Sequence, residues 1–249
     1  MDTINLVTAV SRPENLLRIH RSIAASLHRS SLKARWILVV DDPGIPSPSE
    51  EVALTSGPFG VRKLTHKGGR CSYGITQKNL GMNLVVNEGG YYHCLDDDNI
   101  VHRGFFSGLE RAMKAQPEKR VFVFCQQRWD YIKNLLASPD RMEYGKIDNT
   151  MFVVHSSLIG PRRYDLGKAG REDFHFFRDL YDLHPEEFAF ISETLVYYNY
   201  IKYFPLETRE EAAPHSHLAQ APVESGPVPV PVRARPVPTA PSKAFRIAL

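Results

Sequence analysis

The residues best suited to chemistry in this sequence are aspartates at the ends of apolar runs. Asp96-Asp97-Asp98-Asn99 follows Tyr91-Tyr92-His93-Cys94-Leu95, and Asp41-Asp42-Pro43 follows Trp36-Ile37-Leu38-Val39-Val40. Three successive carboxylates repel one another, so folding around them calls for a cation. Mg²⁺ or Mn²⁺ takes carboxylate oxygens and completes its shell with substrate phosphates. The triplet therefore reads as a bridge between protein and diphosphate, in which Asp96, Asp97 and Asp98 take part. The plainer alternative is a solvated acidic turn capping the helix near Gly104. Asp41 or Asp42 can accept a hydrogen bond from a base N–H, although Asp-Asp-Pro-Gly is also good turn chemistry.

Two further segments carry reactive types. Gly167-Lys168-Ala169-Gly170-Arg171-Glu172-Asp173 leads into the apolar Phe174, Phe176, Phe177 and Leu180. A glycine loop that delivers carboxylates to a helix start suits a general base, and Asp173 is the candidate. The helix N-terminus favours the ionised form, so Asp173 is expected to be a carboxylate at neutral pH. Adjacent helical residues diverge by about 100°, which turns Glu172 elsewhere, toward acceptor hydroxyls. Simple acidity at a helix N-terminus is the alternative for both. Lys67-Gly68-Gly69-Arg70-Cys71-Ser72-Tyr73-Gly74 is glycine-rich, with cations, and precedes a helix carrying Gln77-Lys78-Asn79. Arg70, Lys78 and backbone amides there can meet phosphates, or the segment is a mobile surface loop.

These residues need a scaffold, and the apolar pattern supplies one. Strands are expected at about 5–10, 36–40, 61–64, 91–95, 121–125 and 151–154. Ser11-Arg12-Pro13-Glu14 reads as a capping box ahead of Leu16, Ile19, Ile23 and Leu27, which recur at helical spacing. Further helices are expected at about 75–86 and 104–115. Such βαβ alternation implies an α/β fold with an open, mainly parallel, twisted, Rossmann-like sheet flanked by helices. In such sheets ligands bind outside the carboxyl ends of the strands, where both acidic clusters fall.

The 249 residues, 43% hydrophobic and 24% charged, are ordinary for a globular protein, and a net charge of +3 gives no nucleic-acid footprint. Cys71, Cys94 and Cys125 cannot all pair and lack metal-ligand spacing, so free thiols in a reducing cytoplasm are expected. No stretch reaches about 18 apolar residues, so neither a signal peptide nor a transmembrane segment is expected. From Pro214 onward the chain holds eight of its eighteen prolines. Residues 209–249 thus read as a Pro-rich disordered tail, suited to a tether or a protein partner, after a globular domain over 1–208.

Together these segments resemble the GT-A fold of nucleotide-sugar glycosyltransferases. Asp96-Asp97-Asp98-Asn99 after a strand is similar to that superfamily's DXD motif, and the string resembles that of the family 43 β-1,3-glucuronyltransferases. Trp36–Asp42 and Thr76-Gln77-Lys78-Asn79-Leu80 resemble the same family. Gly170-Arg171-Glu172-Asp173 is more similar to the Glu-Asp motif of family 2 enzymes, as is Ile147–Val154 to their strand before the acceptor region. The resemblance covers about residues 4–200. It implies a UDP-sugar donor with Asp41 or Asp42 on the base, Asp96 on ribose or sugar, and Asp98 on Mn²⁺ or Mg²⁺. Lys78 and Arg70 would contact the diphosphate, and Asp173 would deprotonate a hydroxyl acceptor, a glycan, in one inverting displacement. A glucuronate-specific signature is absent, which leaves the donor sugar open.

Two other classes compete. A metal-dependent phosphohydrolase of the haloacid type wants an aspartate after the first strand, where Val10-Ser11-Arg12 stands. A nucleotidyltransferase wants a Gly-rich basic loop there. A non-catalytic binding module, with the tail as its working part, is the third reading.

Overall fold

Residue types that prefer strands end where the first turn must begin, and the chain alternates between the two from its start. The computed structural model describes residues 3–68, 72–128, 133–135 and 137–204. The expected tail over 209–249 lies outside the described residues, as do Arg70 and Cys71. In chain order the elements are strand β1 (Thr3–Ala9), helix α1 (Leu16–Leu27), β2 (Lys33–Val40), α2 (Pro48–Thr55) and β3 (Gly60–Thr65). They continue with α3 (Ile75–Glu88), β4 (Tyr91–Cys94), β5 (Ile100–Val101), α4 (Phe105–Ala115), β6 (Val121–Arg128) and β7 (Lys133–Leu135). Last come β8 (Phe152–His155), α5 (Ser156–Ile159), α6 (Glu172–Leu183), β9 (Phe188–Tyr198) and α7 (Tyr200–Tyr203).

The strands form one nine-stranded sheet in the order β3-β2-β1-β4-β8-β6-β9-β5, with β7 beside β6. The first four neighbours, β3-β2-β1-β4, are parallel, as the sequence pattern implies. Beyond β4 the sheet becomes mixed: β8 runs antiparallel to both β4 and β6, while β9 is parallel to β6. This antiparallel turn of β8 matters for the site. It brings the amino end of β8 to the same edge as the carboxyl ends of β1, β2 and β4.

Period-two alternation in β2 feeds both faces. Ile37 and Val39 join Ile75, Met82 and Val85 of α3 in one buried cluster, which also takes Phe176, Phe177 and Leu180 of α6. Trp36 points to the other face, where its ring lies 6.3 Å from that of His20 on α1. α3 lies close against the sheet because residue 81 is glycine. A Cβ there would stand 2.3 Å from Val7 Cγ1. Among the described residues no helix is long and apolar enough to cross a membrane.

One local reading is corrected. Ser11 does not cap a helix: its amide and hydroxyl donate to Asp97 at 2.6 and 2.7 Å, and Pro13–Asn15 forms a short 3₁₀ turn before α1. A carboxylate within reach outcompetes the capping geometry because a charge-assisted hydrogen bond is the stronger one. The eleven-residue β9 and the helix α2 go beyond the expected elements.

Candidate active site

Parallel pairing of β1, β2 and β4 carries Ser11-Arg12, Asp41 and Asp96-Asp97-Asp98 to one sheet edge. The fixing contacts are backbone and buried polar bonds. Leu95 N donates to Val7 O at 2.9 Å, Thr8 Oγ1 to Leu95 O at 2.7 Å, and Trp36 Nε1 to Thr8 Oγ1 at 2.9 Å. From the other side come Arg128 and Tyr198 at the ends of β6 and β9, Asp148 ahead of β8, and Glu172 and Asp173 opening α6. All these residues line one cavity of about 650 Å³. That volume falls within the usual range of small-molecule sites.

The acidic turn is largely saturated by the chain itself. Asp97 is buried and accepts from Ser11 N, Ser11 Oγ, Arg12 N and Arg12 Nε between 2.6 and 2.9 Å. Asp98 accepts from Arg12 Nη1 at 2.8 Å. Asp96 pairs with Lys78 Nζ at 2.9 Å. The cation that relieves the triplet is therefore in large part Arg12 and Lys78, and Asp97 serves as an anchor for the β1 end. Asp98 is only 9% exposed. Burial first, then Asp96, pushes its carboxyl up, against Arg12. Lys78 lies buried beside Asp96, which holds its ammonium well above the usual range although burial works the other way.

Fit to a divalent cation can be judged from the donors. Asp96 and Asp98 offer hard carboxylate oxygens on one turn facing the cavity. Among the described residues no group of three or more His, Cys, Asp or Glu side chains could hold a metal. Mg²⁺ or Mn²⁺ held by one or two carboxylates and by substrate phosphates fits this donor set; a cation caged by protein alone does not.

Asp41 and Asp42 part company. Asp41 lines the cavity, with its carboxylate accepting from Gln77 Nε2 at 2.9 and 3.0 Å and 3.1 Å from His66 Nδ1. Asp42 is exposed, lies outside the cavity lining and accepts from Gly44 N at 2.8 Å. It is the turn residue that Asp-Asp-Pro-Gly chemistry calls for.

On the far side, Asp173 accepts from Phe174 N at 2.7 Å, yet its carboxyl is pushed up to about 7. Burial is the main cause, followed by Asp148 and Glu172, with the Phe174 amide and Lys78 opposing. The expectation of a fully ionised carboxylate at neutral pH is thereby corrected: burial among other carboxylates outweighs the helix N-terminus. Glu172 is 5% exposed and its Oε2 is buried with no hydrogen-bond partner among the described residues. Asp148 accepts from Thr150 N at 3.0 Å and from Thr150 Oγ1 at 2.8 Å, and burial and Asp96 raise it. Asp148, Arg12, Gln77 and Tyr198 line the cavity without having been singled out as site residues. Asp148 left a faint signal, an Asp-Asn-Thr cap before an apolar strand. Arg12 left none, because its partners lie 85 and 86 residues away.

No family model matches this chain, and no curated protein matches it in sequence. Solved structures do match it in fold. S. aureus TarS aligns with a TM-score of 0.58 at 14% identity, over 79% of this chain and 36% of that one. S. aureus TarS 1-349 in complex with UDP aligns with a TM-score of 0.57 at 13% identity, over 79% of this chain and 60% of that one. This chain thus spans about a third to three-fifths of those structures. At such identity the likeness is one of fold alone, and that fold is GT-A-like.

Proposed function

We propose that this chain transfers a sugar from a UDP-sugar to a hydroxyl acceptor, with Mn²⁺ or Mg²⁺ and with inversion at the anomeric carbon. One observation carries the reading: on a GT-A-like sheet, Asp41, the acidic turn and a half-buried Asp173 line the same cavity. A TarS structure of similar fold holds UDP, which supports a nucleotide diphosphate as donor.

In this reading Asp41 accepts a hydrogen bond from the base, with Gln77 and His66 fixing its carboxylate. Asp96 would meet the ribose or donor sugar, and Asp98 would hold the cation. A bound cation would supply charge neutralisation for the departing diphosphate. Arg12 keeps the turn in place through Asp97 and Asp98. Lys78 stays charged beside Asp96 and adds positive potential on the same side. Asp173 takes the proton of the acceptor hydroxyl as its oxygen forms the new bond to the anomeric carbon. The bond from that carbon to the diphosphate oxygen breaks, and UDP leaves with the electron pair. A carboxyl near 7 is well matched to accepting a proton at neutral pH.

The test is a panel of nucleotide sugars with and without Mn²⁺, followed by proton NMR of the product anomer. UDP-sugar turnover that needs the metal and inverts the anomer is expected. Turnover of none of the panel, or retention, would sink the reading or its stereochemical half.

A further inference from the structure

The mouth of the cavity carries two tyrosine rings that the fold leaves outside its core. Tyr73 is 66% exposed and Tyr144 is 56% exposed, and both line the cavity. Tyr144 has company from the chain itself. The Arg171 guanidinium lies 4.9 Å from the centre of its ring, and the Phe174 ring meets it edge to face at 5.9 Å.

Tyr73 is placed differently. It stands in the left-handed region, at φ 59° and ψ 14°, a conformation that costs a bulky side chain free energy. Gly74 follows at φ 65°, and a Cβ there would stand 2.7 Å from the Cβ of Ala9. The turn is therefore pressed against the end of β1, and Tyr73 is carried outward on it. Its ring reaches the loop that opens α6. A Cβ at Gly170 would lie 3.5 Å from the Tyr73 hydroxyl oxygen and 3.6 Å from its Cζ. An exposed ring on a strained residue does little for a core, and strain held at a cavity mouth points to a ligand.

The position of the ring selects the ligand. On the donor side Asp41 and Gln77 are joined by polar bonds. The tip of Tyr73 lies instead over Gly170, in the loop just ahead of Asp173. An acceptor with its hydroxyl on Asp173 and its remainder toward solvent runs along this ring. A phenol offers a flat apolar face with a polar edge. A pyranose matches it, with C–H groups on one face and hydroxyls around its rim. An open-chain polyol carries the same hydroxyls but loses more conformational freedom when it lies flat.

We propose that Tyr73 is an acceptor-binding residue whose ring stacks on the C–H face of a pyranose, so that the acceptor is a cyclic sugar and not an open-chain polyol. This inference deepens the sugar-transfer reading of the cavity and rests on it.

The test titrates methyl β-D-glucopyranoside and sorbitol into the full chain with UDP and Mn²⁺, followed by ligand-observed NMR. The pyranoside is expected to bind about five- to tenfold tighter, the size set by covering part of one aromatic face. Saturation transferred from the protein should be unequal between the protons on the two faces of the sugar. Tyr73→Ala should weaken the pyranoside by the same factor and erase its lead over sorbitol, while Tyr73→Phe keeps both. Because φ 59° suits glycine, Tyr73→Gly should unfold at about the wild-type temperature and still lose the pyranoside, which a merely structural tyrosine would not do. Equal affinities, wild-type pyranoside binding by Tyr73→Ala, or no binding of either probe overturns the inference. A loss in Tyr73→Ala confined to UDP puts the ring on the base and overturns it as well. UDP titrated into the wild-type chain separates the two readings. UDP bound without pyranoside preference sinks this inference alone, and a Tyr73-dependent preference without UDP binding sinks the donor reading.

Discussion

The two acidic sides of the cavity use the same residue type in opposite ways. Around β1 and β4, Asp97 is surrounded by donors, two from Ser11 and two from Arg12. Its charge is satisfied by the fold, and it holds the end of β1 against the turn after β4. Around α6 and β8, Asp173 accepts from the Phe174 amide, and Asp148 and Glu172 push against it. Satisfied carboxylates build a scaffold, whereas unsatisfied ones store a readiness to take a proton or a cation. Position after a strand or at a helix start does not separate these cases. The partners do.

The sharpest break of this comparison is Asp173→Asn. Transfer should fall by about two to four orders of magnitude, the usual range for a general base, with UDP affinity unchanged. Stability should move the other way. A carboxyl raised to about 7 from its ordinary value favours the fold below that ordinary value and loses the advantage as pH rises through 7. Removing the charge should therefore stabilise the protein above pH 7 by roughly 1–4 kcal/mol, read by urea denaturation at pH 8. A variant that is both active and destabilised at pH 8 would erase the distinction between the two sides.

Asp97→Ala tests the scaffold half. It strips a buried acceptor from two backbone amides, a hydroxyl and a guanidinium, and leaves Arg12 against Asp98 alone. A loss of about 3 kcal/mol is expected by denaturation, the size seen when one partner of a buried charged pair is removed. Arg12 is partly exposed, which keeps the figure at the low end. Less than about 0.5 kcal/mol would mean that Asp97 is not an anchor.

Asp98→Ala sits between the two. Asp98 is buried and pairs with Arg12, so a stability loss of about 1–2 kcal/mol should accompany the loss of Mn²⁺-dependent UDP binding. Calorimetric titration with UDP and Mn²⁺ reads the second effect, and undiminished binding would remove Asp98 as the metal ligand. The pH profile is gentler. With Asp173 as base, kcat/KM should fall about tenfold per unit below pH 7 and level off above it. A flat profile from pH 5 to 8 would remove Asp173 from that role.

How much of this was legible follows from where the signals lie. Aspartates directly after the apolar runs Trp36–Val40 and Tyr91–Leu95 mark strand ends, and parallel pairing makes those ends one edge. That part of the site was readable from local pattern. β9 was not, because Ser192-Glu193-Thr194 interrupts its apolar run and the pairing with β6 shifts register around Cys125. The charge state of Asp173 was not either, since it depends on Asp148, brought near by the antiparallel course of β8. Arg12 was hidden for the same reason: a guanidinium that answers two carboxylates across 85 residues of chain leaves no local trace.

The smallest expected effect is at Asp42, beside a residue expected to matter. Asp41 and Asp42 are adjacent at the end of β2, so their side chains diverge. Asp41 faces the cavity with its carboxylate fixed by Gln77 and His66. Asp42 points away, is exposed and accepts from Gly44 N. Asp42→Ala removes one exposed turn bond, which is worth about 0.5 kcal/mol at most in water. UDP affinity should then change by less than about twofold. Asp41→Ala removes the acceptor proposed for the base and should weaken UDP by about tenfold, the cost of one good hydrogen bond to a charged group. The pair is measured together by titrating UDP into both variants. Equal losses would mean that the turn as a whole, and not the direction of one carboxylate, holds the base.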